Sequence, residues 1–133
     1  MGMTIKELIA ALETANSLSR KLDAAIYRLV GLRSDEEAHC RDWCRMDGRA
    51  DLTRDRYIMT HAPRYTESID SAMTLVQASA SVTMERYIKG WYVVIAQPSD
   101  APVAYRGDRK PLPIAICIAA LKARAALKQE PGG

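Results

Sequence analysis

Phenylalanine is missing from this chain of 133 residues, and its aromatic share of 6% rests on six Tyr and two Trp. A core must therefore be assembled from Ile, Leu, Val, Ala and Met. Cysteine is scarce: three residues cannot all pair within one chain. With no signal-peptide pattern at the start, that odd number predicts reduced thiols and a cytoplasmic protein. A long apolar run is also absent, since Ile114 to Leu121 falls far short of the ~18 residues that suggest a membrane span. We expect a soluble protein with no membrane partner. Charge of one sign is not in excess either: 19 Lys and Arg stand against 16 Asp and Glu, for a net +3. Imitation of DNA needs a large acidic surplus and is excluded, while the case for a nucleic-acid protein is weak.

What is present is ordinary globular composition, 48% apolar and 26% charged. That excludes a disordered chain, a collagen-like one and a long coiled coil. The length suits one domain, here 1–133, ending in a frayed tail at 129–133. No internal repeat or separating linker is visible.

Thr4-Ile5-Lys6-Glu7 fits a capping box, and Met3 with Leu8 fits a hydrophobic staple. Ile5, Leu8, Ile9 and Leu12 then form a helical stripe ending near Thr14. Ser19 can cap a second helix carrying Leu22, Ala25, Ile26 and Leu29, which Gly31 terminates. Residues 3–30 thus read as a helical hairpin. Residues 32–65 differ, with Arg33, Arg41, Arg45, Arg49, Arg54, Arg56 and Arg64 opposed by seven acids. Ser34 and Glu37 can cap a short helix ending at Gly48, with a stripe of Ala38, Cys40, Trp43 and Cys44. A partly ordered surface excursion is the other reading of this stretch. Tyr57-Ile58-Met59-Thr60 reads as a short strand closed by Pro63.

Residues 66–126 read as helix, hairpin and helix. Thr66-Glu67-Ser68-Ile69 starts a helix that buries Ile69, Ala72, Met73 and Val76. From Val82 the period becomes two. Val82 to Ile88 and Trp91 to Ile95 make a hairpin about Lys89-Gly90, closed by Pro98-Ser99-Asp100, and Val103 to Arg106 adds a third strand. The last helix opens at Pro113 and is apolar on every face through Leu121, so it should be the most buried element.

Three blocks, Leu8 to Ile26 (LIAALETANSLSRKLDAAI), Pro63 to Val76 (PRYTESIDSAMTLV) and Pro113 to Ala126 (PIAICIAALKARAA), occur in order and resemble the phage αβα-sandwich domain family. Gly90-Trp91 resembles that family's Gly-Trp strand start. The resemblance covers somewhat more than a third of the chain. It implies an α+β fold, a small antiparallel sheet between helices, and a protein encoded by a phage or prophage and working in the host cytoplasm. Its motifs are structural and carry no catalytic residue over. The stretch from Gly31 to Pro63 matches nothing specific in the family.

The side chains with chemistry to offer are few. His39, Cys40, Cys44 and His61 are the one group resembling metal ligands, but a single Cys-x₃-Cys with isolated His residues lacks the paired spacing of structural zinc sites. Two reduced thiols are the expected state, because a disulfide within one helical turn has poor geometry. Cys117 lies among Ile114, Ile116, Ile118 and Leu121, which suits core packing better than a reactive thiol. No phosphate loop, HExxH pair or nucleophile elbow occurs. We therefore expect no enzyme, no metal and no cofactor.

Trp, Tyr and Arg dominate binding hot spots, so Arg41, Trp43, Arg45, Arg54, Arg56 and Tyr57 form the candidate protein interface. The expected function is protein binding, in its most specific form inhibition of a host defence complex, anti-CRISPR-like, by steric blocking. Arg106, Arg109, Lys110, Lys122, Arg124 and Lys128 support an alternative, a nucleic-acid accessory protein. A structural phage protein is the third reading.

Overall fold

A computed structural model of the chain describes residues 3–46, 54–98 and 101–128. Helix α1 (Ile5–Thr14) starts as its sequence requires: Thr4 accepts from the Glu7 amide, and the Glu7 side chain accepts from the Thr4 amide. Helix α2 (Arg20–Val30) is capped by Ser19, and Gly31 ends it at φ 82°, a conformation that suits glycine. Helices α3 (Ser34–Met46) and α4 (Arg54–His61) follow. Next come the short α5 (Ile69–Met73), the strands β1 (Ser81–Tyr87), β2 (Gly90–Ala96) and β3 (Val103–Asp108), and α6 (Leu112–Lys128).

The three strands form one antiparallel sheet in the order β1-β2-β3. Pairing of Val82 with Ile95, Met84 with Val93 and Trp91 with Gly107 fixes the register, so Val82, Met84, Trp91, Val93, Ile95, Val103 and Tyr105 share the face toward the core. The α+β class and an antiparallel sheet packed on helix are as expected, but the sheet does not lie between helices, because only its apolar face is covered. The layering shows which element lies in the middle: α6 packs on β2 and β3 with one side and on α1 and α5 with the other. Ile114 to Leu121 are all at most 1% exposed, which only a helix apolar on every side tolerates. The sheet's other face carries Thr83, Glu85, Tyr92, Ala104 and Arg106, all exposed. No described helix is long and apolar enough to cross a membrane.

Three local expectations are corrected. Tyr57 to Thr60 is helical, because the segment belongs to α4. Tyr57 and Ile58 are both buried there, and Arg20 of α2 donates to the carbonyls of Thr60 and Ala62, which lie at and just past the helix end. The cap of α3 falls one residue early: the Glu36 carboxylate, not Glu37, reaches back, accepting from the Arg33 amide at 2.8 Å. Helix α5 is shorter than predicted. Ser68 caps it, Ile69 is 44% exposed, and Leu75 beyond its end takes the buried place. The predicted end of α3 at Gly48, the turn residues Ser99 and Asp100 and the tail at 129–133 lie outside the described residues.

One polar knot lies inside the helical layer. Asp23, 1% exposed, accepts from the Thr66 amide and hydroxyl, both at 2.8 Å, and pairs with Arg20 at 3.0 Å. The Thr66 hydroxyl in turn accepts from the Ser19 amide at 2.8 Å. A second tie is Lys110, 8% exposed, whose Nζ donates to the Ala15 carbonyl at 2.7 Å and to Asn16 Oδ1 at 3.0 Å. It places a cation at the carbonyl end of α1, where the helix dipole favours one.

Asp23→Ala strands the Thr66 donors and leaves Arg20 without its carboxylate, so urea unfolding should show a loss of about 3 kcal/mol or more. At the hairpin, a Cβ on Gly90 would lie 2.1 Å from the Gly107 carbonyl oxygen. Gly90→Ala should therefore cost about 1–3 kcal/mol by forcing the two strands apart. A thermal melt indistinguishable from that of the parent chain would contradict this.

Candidate functional site

Helices α3 and α4 pack against each other, and α4 carries the pair onto α2. The acids Asp35, Glu36 and Glu37 in the first turn of α3 suit the positive end of its dipole. Glu36 also accepts from the Tyr27 hydroxyl at 2.6 Å, which ties α3 to α2. Burial raises the Glu36 pKa, but hydrogen bonds from Tyr27 and from the Arg33 backbone outweigh it and hold the carboxyl below its ordinary value. Glu37 meets Arg54 at 2.5 Å and joins the two helices. That hydrogen bond lowers the Glu37 pKa and raises that of Arg54. Arg28 and Asp55 pair at 3.3 Å between α2 and α4.

Four rings meet between α3 and α4. Tyr57 and His61, one turn apart, stack with centroids 4.2 Å apart. His39 and Trp43, one turn apart on α3, present edges to that stack at 5.4 to 5.7 Å, the arrangement ring quadrupoles favour. His39 Nδ1 and the Tyr57 hydroxyl are hydrogen-bonded at 2.7 Å. Tyr57 is 3% exposed, Trp43 and His61 are half-buried, and His39 is exposed. Burial pushes the Tyr57 phenol pKa up, and the nearby Cys40 adds to this.

Of the six predicted interface residues, the structure brings Trp43 and Tyr57 together, and they divide the work. Tyr57 is a buried support and Trp43 a half-exposed edge. Arg41 and Arg45 stand exposed on α3 to either side of Trp43 in sequence, and among the described residues neither forms a close ion pair. Arg54 is held by Glu37, and Arg56 is exposed on α4. Arg49, which would continue the Arg41–Arg45 spacing, lies outside the described residues.

The same geometry places the four residues weighed as metal ligands. His39 is engaged by Tyr57, and His61 Nδ1 lies 3.2 Å from the Tyr57 carbonyl in its own helix. Cys40 is buried, and its pKa is raised by that burial and by the neighbouring Cys44. Among the described residues, no three His, Cys, Asp or Glu side chains gather in a way that suits a metal ion. The two His residues instead complete the ring cluster. Sequence reasoning missed that role, although His39 and Trp43, like Tyr57 and His61, share the four-residue spacing that aligns side chains on one helix face.

The basic residues of the last quarter are spread over separate partners. Arg106 lies over the Tyr87 ring and pairs with Asp108 at 3.4 Å. Lys110 is the buried tie to α1, Lys122 meets Glu13 at 3.6 Å and the Tyr105 ring, and Arg124 donates to the Leu75 carbonyl. Arg109 is exposed at a positive φ of 60°.

No family model, curated protein or solved structure matches this chain.

Cys117 is fully buried, and its thiol donates to the Tyr65 carbonyl at 3.3 Å. Burial lifts its pKa far above that of a free thiol, so thiolate is almost absent at pH 8. Treated with an alkylating reagent at pH 8, the native protein should react first at half-exposed Cys44, more slowly at Cys40, and at Cys117 only on unfolding. Mass mapping that finds Cys117 modified ahead of Cys44 would reverse the assignment.

Proposed function

We propose that the protein acts by binding a protein partner through the face that α3 and α4 present around Trp43. The observation carrying this reading is a half-exposed Trp held edge-on to a Tyr–His stack and flanked by two exposed Arg. The supporting rings fix the indole before a partner arrives, which limits the rotamer entropy lost on association. Among the described residues neither Arg41 nor Arg45 forms a salt bridge, although the charge of Arg41 acts on Glu37, so a partner with an acidic rim suits them.

In its finer form the proposal is that of a phage or prophage protein that inhibits a host defence complex by occupying a protein surface. The resemblance of the three sequence blocks supports the origin, and the near-neutral charge supports blocking over DNA mimicry. The alternative of nucleic-acid binding draws less support, because Arg106, Lys110 and Lys122 are each held by a different partner within the fold.

Trp43→Ala separates an anchor from a structural ring. Its two edge-to-face contacts are worth about 1 kcal/mol each, so the variant should keep its circular dichroism spectrum and lose only a few degrees in Tm. Partner capture from a bacterial host lysate should fall by about 2 kcal/mol or more in affinity, and Arg41→Glu with Arg45→Glu should abolish it at unchanged Tm. Full capture by both variants would place the interface elsewhere.

A further inference from the structure

A second feature lies away from the Trp43 face. The end of α2, the start of α3, the segment around Pro63 and Tyr65, α5 with the turn after it, and α6 surround a cavity of about 340 Å³. That is within the size range of small-molecule sites, near its lower end. Val30, Pro63 and Leu75 make apolar walls, with the rings of Tyr27 and Tyr65 beside them. The remaining lining is polar and converges from three elements.

Tyr65 is 4% exposed, yet among the described residues its hydroxyl has no hydrogen-bond partner. Among the described residues no polar side-chain atom sealed from solvent lacks a partner, so this hydroxyl keeps some exposure, and Tyr65 lines the cavity. A buried phenol without a protein partner is a donor held ready for something else. Arg124 stands in the same wall. Its Nε is spent on the Leu75 carbonyl at 3.1 Å, which orients the guanidinium and leaves the terminal nitrogens free. Arg124 makes no ion pair among the described residues, and its charge acts on Tyr65, partly opposing the burial that pushes that phenol up to about 12. Ser71 adds a hydroxyl that makes no hydrogen bond among the described residues.

The other charges at the cavity are already committed. Glu36 accepts from Tyr27 and from the Arg33 amide, and the Arg33 side chain pairs with it at 3.3 Å. What remains among the described residues is one cation without an ion-pair partner, two hydroxyls without a hydrogen-bond partner, and apolar walls.

We propose that this cavity is a binding site for a small ring-bearing carboxylate, its anion on Arg124 and the Tyr65 and Ser71 hydroxyls, its ring between Tyr27, Val30 and Leu75. A planar guanidinium with two free nitrogens matches a carboxylate in a two-point geometry. The cavity's size admits one ring. A neutral ligand would leave Arg124 unanswered, and a dianion would exceed the single free positive charge.

The test is an amide NMR titration of the full chain with benzoate, its neutral isostere benzamide, and inorganic phosphate. Benzoate should shift the amides of Tyr27, Val30, Ser71 and Leu75 saturably, with benzamide and phosphate at least about tenfold weaker. Arg124→Gln should weaken benzoate roughly tenfold. Tyr65→Phe, which removes only the hydroxyl, should weaken it several-fold at unchanged Tm, and it carries the test if the Arg124 variant fails to fold. The proposal is overturned by benzamide or phosphate binding as tightly as benzoate. Shifts mapped away from the cavity, no saturable shift up to about 10 mM benzoate, or full affinity in Tyr65→Phe would equally overturn it.

Discussion

The main core leans on one helix that has no solvent face along Ile114 to Leu121. Along Ile114 to Leu121, α6 offers apolar side chains in every direction. With no Phe available, its branched Ile residues and small Ala residues let neighbours approach closely on several sides at once. The sheet takes one side and α1 with α5 the others. Hydrophobic burial is non-directional, so α6 alone does not decide how the surrounding elements are arranged. Directional polar ties do. Asp23 with Thr66 locks α2 to the segment before α5, and Lys110 locks the exit of β3 to the end of α1. Each joins stretches that are far apart in sequence, and each is satisfied from both ends.

The α3–α4 pair stands outside this scheme. Only Cys40, Tyr57 and Ile58 among its described residues are buried. Its attachment is a set of polar contacts, Tyr27–Glu36, Arg28–Asp55 and Arg20 to the α4 end, plus the ring cluster between the two helices. A segment rich in Arg and Asp has little apolar surface to bury, so rings and ion pairs take over the role that aliphatic packing has elsewhere. That economy leaves Trp43 at the edge, where a partner can reach it.

How much of this was legible in the sequence follows from the range of each interaction. Thr4 with Glu7, Ser19, Gly31 and the β1–β2 turn are decided within a few residues, and the sequence showed them. So did α6, because a helix apolar all round has only one place to go. Tyr57 to Thr60 misled, since Tyr, Ile and Thr favour strands locally, while burial of Tyr57 and Ile58 and the Arg20 contacts favour the helix. Nothing local marks Asp23, because its partner Thr66 is 43 residues away. For the candidate interface, residue types pointed to Trp43 and Tyr57, but the contribution of His39 and His61 needed the two helices to be brought side by side. The cavity lined by Tyr65 and Arg124 draws on five separate stretches, and no local spacing marks it.

The position of α6 also has a temporal side. The element at the centre of the core comes after every other described helix and strand in chain order. During synthesis from the N-terminus, α1, α2, α5 and the sheet emerge with their apolar faces uncovered, and none can bury them fully until residues 114–121 follow. The helical hairpin and the β-hairpin can form early as local units, yet cooperative closure waits for a single late segment. Selection on this chain would then act on how those waiting surfaces behave in the interval, as well as on the finished fold. The modest length of its apolar runs before Ile114, broken by Lys, Arg, Asp and Glu, limits the sticky surface exposed during that interval.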